Sequence, residues 1–162
     1  MKPIVVYYSY TGNTEKVARR VADALGAPTA EIRTVTPYEG DYDTVVKQGH
    51  REVRAHYRPP IHPLSVDTDA FDTVILCTPV WWYTFAPAVG SFLDGAKLDG
   101  KKIFTIATNG GWLGHTFPDV AKACPGATVM AGLDLCFDGD RQRTPEAVLD
   151  AYVQTVKASA AT

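Results

Sequence analysis

The chain has 162 residues, 46% of them hydrophobic and 21% charged, with a formal net charge of −2, the make-up expected of one soluble globular domain with a sizeable core. This balance, with no basic run interleaved with aromatics, excludes nucleic acid as the expected partner, and no apolar run reaches the roughly 18 residues of a membrane span. Three scattered cysteines, Cys77, Cys124 and Cys136, form neither a metal pattern nor a disulfide framework; with no leader-like start, they fit a reducing cytoplasm.

In chain order, residues 3–8 read as a buried strand. Residues 13–25 read as a helix with Val17, Val21 and Leu25 on one face and Glu15, Lys16, Arg19, Arg20 and Asp23 on the other. Gly26 is its stop signal, and Pro28 follows. Residues 29–35 predict a second strand and 40–56 a more polar helix. Phe71 to Thr78 predict a third strand that ends at Pro79. Helix 86–94 leads to a fourth strand, Lys102 to Thr108, and a helix is expected within 113–123. A fifth strand is expected over 127–136. The last helix is expected after Thr144-Pro145-Glu146, with Thr144 as N-cap and Pro145 in the first turn.

Five strands alternating with five helices predict a parallel sheet covered on both faces, in one domain over 1–162. Ligands of such sheets sit beyond the carboxyl ends of the strands, where strand order reverses. Three loops leave those ends with unusual composition and are expected to converge.

The first is Ser9-Tyr10-Thr11-Gly12-Asn13-Thr14. A strand turning tightly into a helix presents free amide N–H groups that favour an anion. Hydroxyls at Ser9, Thr11 and Thr14 line the turn, and Gly12 admits close backbone approach. There is no Gly-Lys-Ser/Thr ending for a nucleoside triphosphate and no Gly-x-Gly-x-x-Gly for a dinucleotide. The alternatives are a terminal phosphate held without cations and a plain capped helix start.

The second loop, Thr78-Pro79-Val80-Trp81-Trp82-Tyr83-Thr84-Phe85, packs four aromatics into five positions. That density suits a planar ligand more than a satellite hydrophobic cluster. The third, Thr108-Asn109-Gly110-Gly111-Trp112-Leu113-Gly114, holds three glycines in five positions. Trp112 either covers the ligand or packs on the following helix.

The first loop resembles the Ser/Thr-x-Thr-Gly-x-Thr phosphate signature of flavodoxins. Pro79-Val80-Trp81-Trp82 is similar to the loop of a short-chain flavodoxin or NAD(P)H-dependent oxidoreductase subgroup. Tyr83 stands where that subgroup usually carries Gly, and Trp112-Leu113 replace its small polar residues. The resemblance implies a flavodoxin-like α/β/α sandwich with a five-stranded parallel sheet of order 2-1-3-4-5. It implies FMN as cofactor, with Ser9, Tyr10, Thr11, Gly12, Asn13 and Thr14 around the phosphate. Thr78, Pro79, Val80, Trp81, Trp82 and Tyr83 then flank the ring, and Thr108, Asn109, Gly110, Gly111 and Trp112 meet its polar edge. The flavin carries the chemistry, so no separate catalytic residue and no metal are expected.

Two functions follow from the resemblance. One is an FMN-dependent oxidoreductase taking electrons from NAD(P)H to a small acceptor such as a quinone. The other is an electron carrier docking on redox partner proteins. Carriers of this family are strongly acidic, unlike this chain. The sequence leaves the oligomeric state open, and a homodimer whose second subunit covers the aromatics is one arrangement it allows. Lys47, His50, Arg51, Arg54, His56 and Arg58 form a locally basic segment, either a solvated helix face or an attractor for an anionic reactant. His115 lies beside the third loop.

Overall fold

The computed structural model describes residues 1–161. Its elements run β1 (Pro3–Tyr7), α1 (Asn13–Leu25), β2 (Thr29–Glu31), α2 (Tyr42–Arg54), β3 (Thr73–Trp81), β4 (Thr84–Phe85), α3 (Pro87–Gly95), β5 (Lys102–Asn109), α4 (Thr116–Ala123), β6 (Thr128–Val129), β7 (Leu133–Asp138), β8 (Arg141–Gln142) and α5 (Glu146–Ala158). The strand order is β2-β1-β3-β5-β7-β8, with β4 beside β3 and β6 beside β5. All neighbours are parallel except the two hairpin pairs, β3–β4 and β7–β8. The five long-range strand positions therefore follow the expected order. The order in which strands are added reverses at β1 and β3: β2 lies on one side of β1 and β3 on the other.

Side-chain alternation along the strands builds two cores. Val5, Tyr7, Ile75, Cys77, Phe104 and Ile106 face α1 and α5, where Val17, Val21, Leu149, Val153 and Val156 cover them. Ile4, Val6, Val74, Leu76 and Ile103 face the other way, onto Val89, Phe92 and Leu93 of α3 and Val120 of α4. Both sheet faces are thus dry, which explains the near-continuous apolar strand sequences. No helix among the described residues is long and apolar enough to cross a membrane.

Several expected boundaries move. The third strand starts at Thr73 and runs through Pro79 to Trp81. Pro79 is tolerated because its missing N–H is not needed to continue this end of the strand, and it still aligns with Thr108 of β5. The second strand stops at Glu31. Past Ile32, whose N–H still donates to Tyr7 O at 2.7 Å, the chain leaves β1 and pairs with the segment 60–62 around an isolated antiparallel bridge, Thr34 with Ile61. Helix α2 begins at Tyr42, where Asp41 accepts a bond from the Thr44 N–H and sets the start. The expected fifth strand divides into β6 and β7, each following a different stretch of β5. Thr144 is not the cap of α5; its hydroxyl accepts from the Cys136 N–H of β7 at 2.8 Å, and Pro145 takes the cap position.

Candidate functional site

The tight turn after β1 is held by its own first residue. Ser9 Oγ accepts from the N–H groups of Gly12 and Glu15, both at 3.2 Å. Gly12 takes φ +104, a left-handed conformation that side chains rarely adopt. Among the described residues, the amides of Tyr10, Thr11, Asn13 and Thr14 find no intramolecular acceptor. They are the orphan donors of a helix start, together with the loop before it. Below them, Thr14 Oγ1 lies 2.8 Å from Thr108 Oγ1, both buried. Asn13 Nδ2 donates to Gly139 O at 2.8 Å and ties the start of α1 to the β7–β8 turn.

The second loop is a two-residue hairpin between β3 and β4. Its central residues, Trp82 and Tyr83, have φ of 51° and 70°. This is the backbone of a turn that ordinarily carries Asn and Gly. Flanking groups hold it. Trp82 Nε1 donates to Val46 O of α2 at 3.0 Å, and its ring stacks on His50 with centroids 4.0 Å apart. On the opposite side the His115 N–H donates to Tyr83 O at 2.8 Å. Gly114, at φ +59, lies so close that a Cβ there would sit 2.3 Å from Tyr83 O. Asp119 Oδ2 accepts from Thr84 Oγ1 and also meets His115 Nδ1.

Trp81 turns inward. It meets Tyr8, Tyr10 and Tyr38 edge-on at centroid distances of 5.9, 6.0 and 5.0 Å. Gly49 of α2 lets it approach: a Cβ at 49 would lie 3.1 Å from its ring. Burial pushes the Tyr8 hydroxyl well above its ordinary pKa. Burial first, then the bond to Glu52 Oε1 at 2.6 Å, does the same for Tyr38. Both phenols stay protonated and act as packing groups.

The third loop leaves β5 through Asn109. Its Oδ1 accepts from the Gly111 N–H at 2.9 Å, and its Nδ2 donates to Asp134 Oδ1 at 2.6 Å. Trp112 is 65% exposed. It stands at the mouth, with its ring in van der Waals reach of Gly110.

These three loops surround one cavity of about 680 Å³, within the range of small-molecule sites. Tyr10, Thr11, Asn13 and Thr14 form its floor. Pro79, Val80, Trp81, Trp82 and Tyr83 make one wall, and Thr108, Asn109, Gly110 and Trp112 the other. Ser9, Gly12, Thr78 and Gly111 do not line it. The Ser9 hydroxyl bonds inside the turn. Gly12 and Gly111 shape backbone. Thr78 is fully buried and bonds Pro79 O and the Ala86 N–H, which braces the hairpin. Phe85 is core.

Sequence reading missed a wall and a rim. Tyr42, Val45, Val46 and Gly49 of α2 close one side, and Phe137, Gly139 and Asp140 of the β7–β8 hairpin the other. The inward period of α2 carries a faint signal; the β8 hairpin, two residues long, carries none. Among the described residues no lysine, arginine or histidine lines the cavity, and Asp140 is its one carboxylate. Of the basic segment, Arg58 is committed elsewhere: it bonds Asp94 at 3.0 Å and lies over the Phe85 ring. The described residues hold no cluster able to ligate a metal.

The arrangement suits a flat molecule with an anionic end. The partnerless amides and the Thr11 hydroxyl offer donors to the anion without a cation. The aromatic walls offer faces and edges to a ring. The model of the family described as Flavodoxin matches residues 2–151. Among solved structures, a candidate flavoprotein from Bacteroides eggerthii is 25% identical, with a TM-score of 0.81 over 96% of this chain and 98% of its own. A flavoprotein from Lactobacillus acidophilus, in complex with FMN, is 18% identical, with a TM-score of 0.70 over 82% of this chain and 91% of its own. Flavodoxin 2 from Bacillus cereus is 16% identical, with a TM-score of 0.59 over 98% and 99%. The last two likenesses speak to the fold alone. No curated protein sequence matches the chain.

Proposed function

This chain belongs to the flavodoxin family, and from that premise we propose that its cavity binds FMN and that the protein is a cytoplasmic oxidoreductase passing electrons from NAD(P)H to a small acceptor such as a quinone. The observation that carries this reading is, among the described residues, the pairing of unsatisfied amides at Tyr10, Thr11, Asn13 and Thr14 with an aromatic-walled cavity lined by no cation. A phosphate monoester is a doubly charged acceptor that such a cradle fits. When bound, the flavin supplies the redox chemistry. The chain's own residues bind, orient and shield. The amides and Thr11 take the phosphate; Trp81, Trp82 and Tyr83 bound the ring; Asn109 and Gly110 border its polar edge.

A second reading, an electron carrier, draws on one observation. Tyr10, Tyr42, Trp82, Tyr83 and Trp112 are all exposed around the same mouth, a surface suited to a docked redox protein or a second subunit. The two separate in one experiment. FMN is titrated into the protein, and the complex is mixed anaerobically with NADPH or NADH. Flavin bleaching within seconds supports the oxidoreductase. Bleaching only through a partner reductase supports the carrier. No FMN uptake by the folded protein rejects both.

A further inference from the structure

Val46, Gly49 and His50 stand at i, i+3 and i+4 and so share one face of helix α2. That face seats both tryptophans of the second loop. Gly49 leaves room for the Trp81 ring, which a Cβ there would approach to 3.1 Å. Val46 O accepts from Trp82 Nε1 at 3.0 Å, and the His50 imidazole lies on the Trp82 indole with centroids 4.0 Å apart and planes 19° apart. Val46 and His50 are about one helical turn apart. A single turn of α2 therefore holds the indole by its N–H and across one face.

That indole has a side towards the ligand space and a side away from it. Trp82 lines the cavity, and His50 does not. The covered face is therefore the one turned from the cavity, and the opposite face and the rim are left for a guest. Local backbone preference does not secure this arrangement, since Trp82 sits at φ 51°, where bulky side chains are rarely found. Nor does the imidazole have a polar task. Among the described residues the His50 ring forms no hydrogen bond and no ion pair. Half buried, it meets Trp82 as a flat plate.

We propose that His50 is a positioning residue for the planar ligand: by backing the outer face of Trp82, it sets the indole as a finished wall before the ring arrives. This rests on the FMN reading given above. A side chain that becomes ordered only on binding subtracts from affinity, and one ordered beforehand does not. The role requires a flat group at position 50, not a charge or a proton. If His50 merely filled space beside α2, its removal would lower stability and leave affinity alone.

The test measures FMN binding by calorimetry in the wild type, His50→Ala, His50→Phe, Trp82→Ala and the His50→Ala, Trp82→Ala double variant. Circular dichroism of the free proteins checks the fold, and alanine is the better helix former at this position. His50→Ala is expected to weaken FMN about 2- to 10-fold, the effect of leaving one large side chain to be ordered on binding. His50→Phe keeps a stacking ring and should restore wild-type affinity. In the Trp82→Ala background the His50→Ala change should have no further effect, because the wall it supports is gone. Unchanged affinity in His50→Ala, failure of His50→Phe to restore it, or an equal loss in both backgrounds each overturns the positioning role alone. A folded wild type that takes up no FMN overturns the cofactor reading, and the positioning role with it.

Discussion

Thr14 and Thr108 share a buried hydroxyl–hydroxyl hydrogen bond of 2.8 Å that fastens the first loop to the third. Thr11, three residues earlier, is exposed and has no bonded partner among the described residues. The two threonines therefore predict different outcomes. Thr11→Val should weaken FMN roughly tenfold, the worth of about one charge-assisted hydrogen bond, with no change in melting temperature. Thr14→Val leaves the Thr108 hydroxyl unpaired and should cost about 1–3 kcal/mol of stability as well. Fluorescence titration and thermal unfolding check both. Adding Ser9→Ala to Thr14→Val releases the turn that Ser9 Oγ holds and should weaken FMN further. Wild-type affinity in that double variant counts against the cradle.

Tyr83 sits at φ 70° with half its surface exposed. Tyr83→Gly removes a left-handed side chain and should raise stability by about 1 kcal/mol in urea unfolding. The same change lowers the cavity wall and should loosen FMN. A stability loss of that size instead would mean that the ring's packing outweighs its backbone strain.

Gly114 faces the other side of that hairpin. Gly114→Ala places a methyl group against the Tyr83 carbonyl, and the hairpin must shift to admit it. The expected cost is about 1–3 kcal/mol, with altered near-ultraviolet dichroism from Trp82. Trp82→Ala, which removes the bond to Val46 and the stack on His50, should change both flavin affinity and midpoint potential. An unchanged potential would reduce Trp82 to packing.

Cys77 is wholly buried, and burial alone pushes its thiol from 9.0 to about 12. The folded state therefore disfavours the thiolate that the unfolded state forms readily. The Cys77 contribution to stability is fully present below pH 9 and is lost as pH rises from about 9 towards 12. Urea midpoints measured at pH 8 and 10.5 should show the fall. Burial raises the Tyr8 and Tyr152 phenols in the same direction and steepens it. At pH 8 a thiol reagent should label Cys136 well before Cys77 in the folded protein.

The parallel core was legible because strands buried on both faces are written as unbroken apolar runs, and Val17, Val21 and Gly26 mark α1 without ambiguity. The turn at Trp82-Tyr83 was not legible. Its backbone is that of an Asn-Gly turn, yet its residues signal only bulk, and tertiary groups at Val46, His50 and Gly114 hold what local preference opposes. Pro79 read as a strand end although the pairing that follows, Val80 with Phe85, belongs to an antiparallel neighbour. The site's three loops were legible from composition. The contribution of α2 was hidden because Gly49 acts by what it lacks, leaving room for a ring some thirty residues along the chain. Thr144 illustrates a further limit: a hydroxyl before Pro-Glu looks like a cap, and only the packed sheet shows that it serves Cys136 instead.

The sheet ends abruptly at both margins. On one side β2 offers three residues before the chain departs. On the other, β8 is two residues long, and Cys136 is already engaged by Arg143 and Thr144. A stray strand from a crowded neighbour would find almost no free ladder to extend. Concentrated stocks of this protein should accordingly resist fibril seeding, even with five bare aromatic rings round one opening.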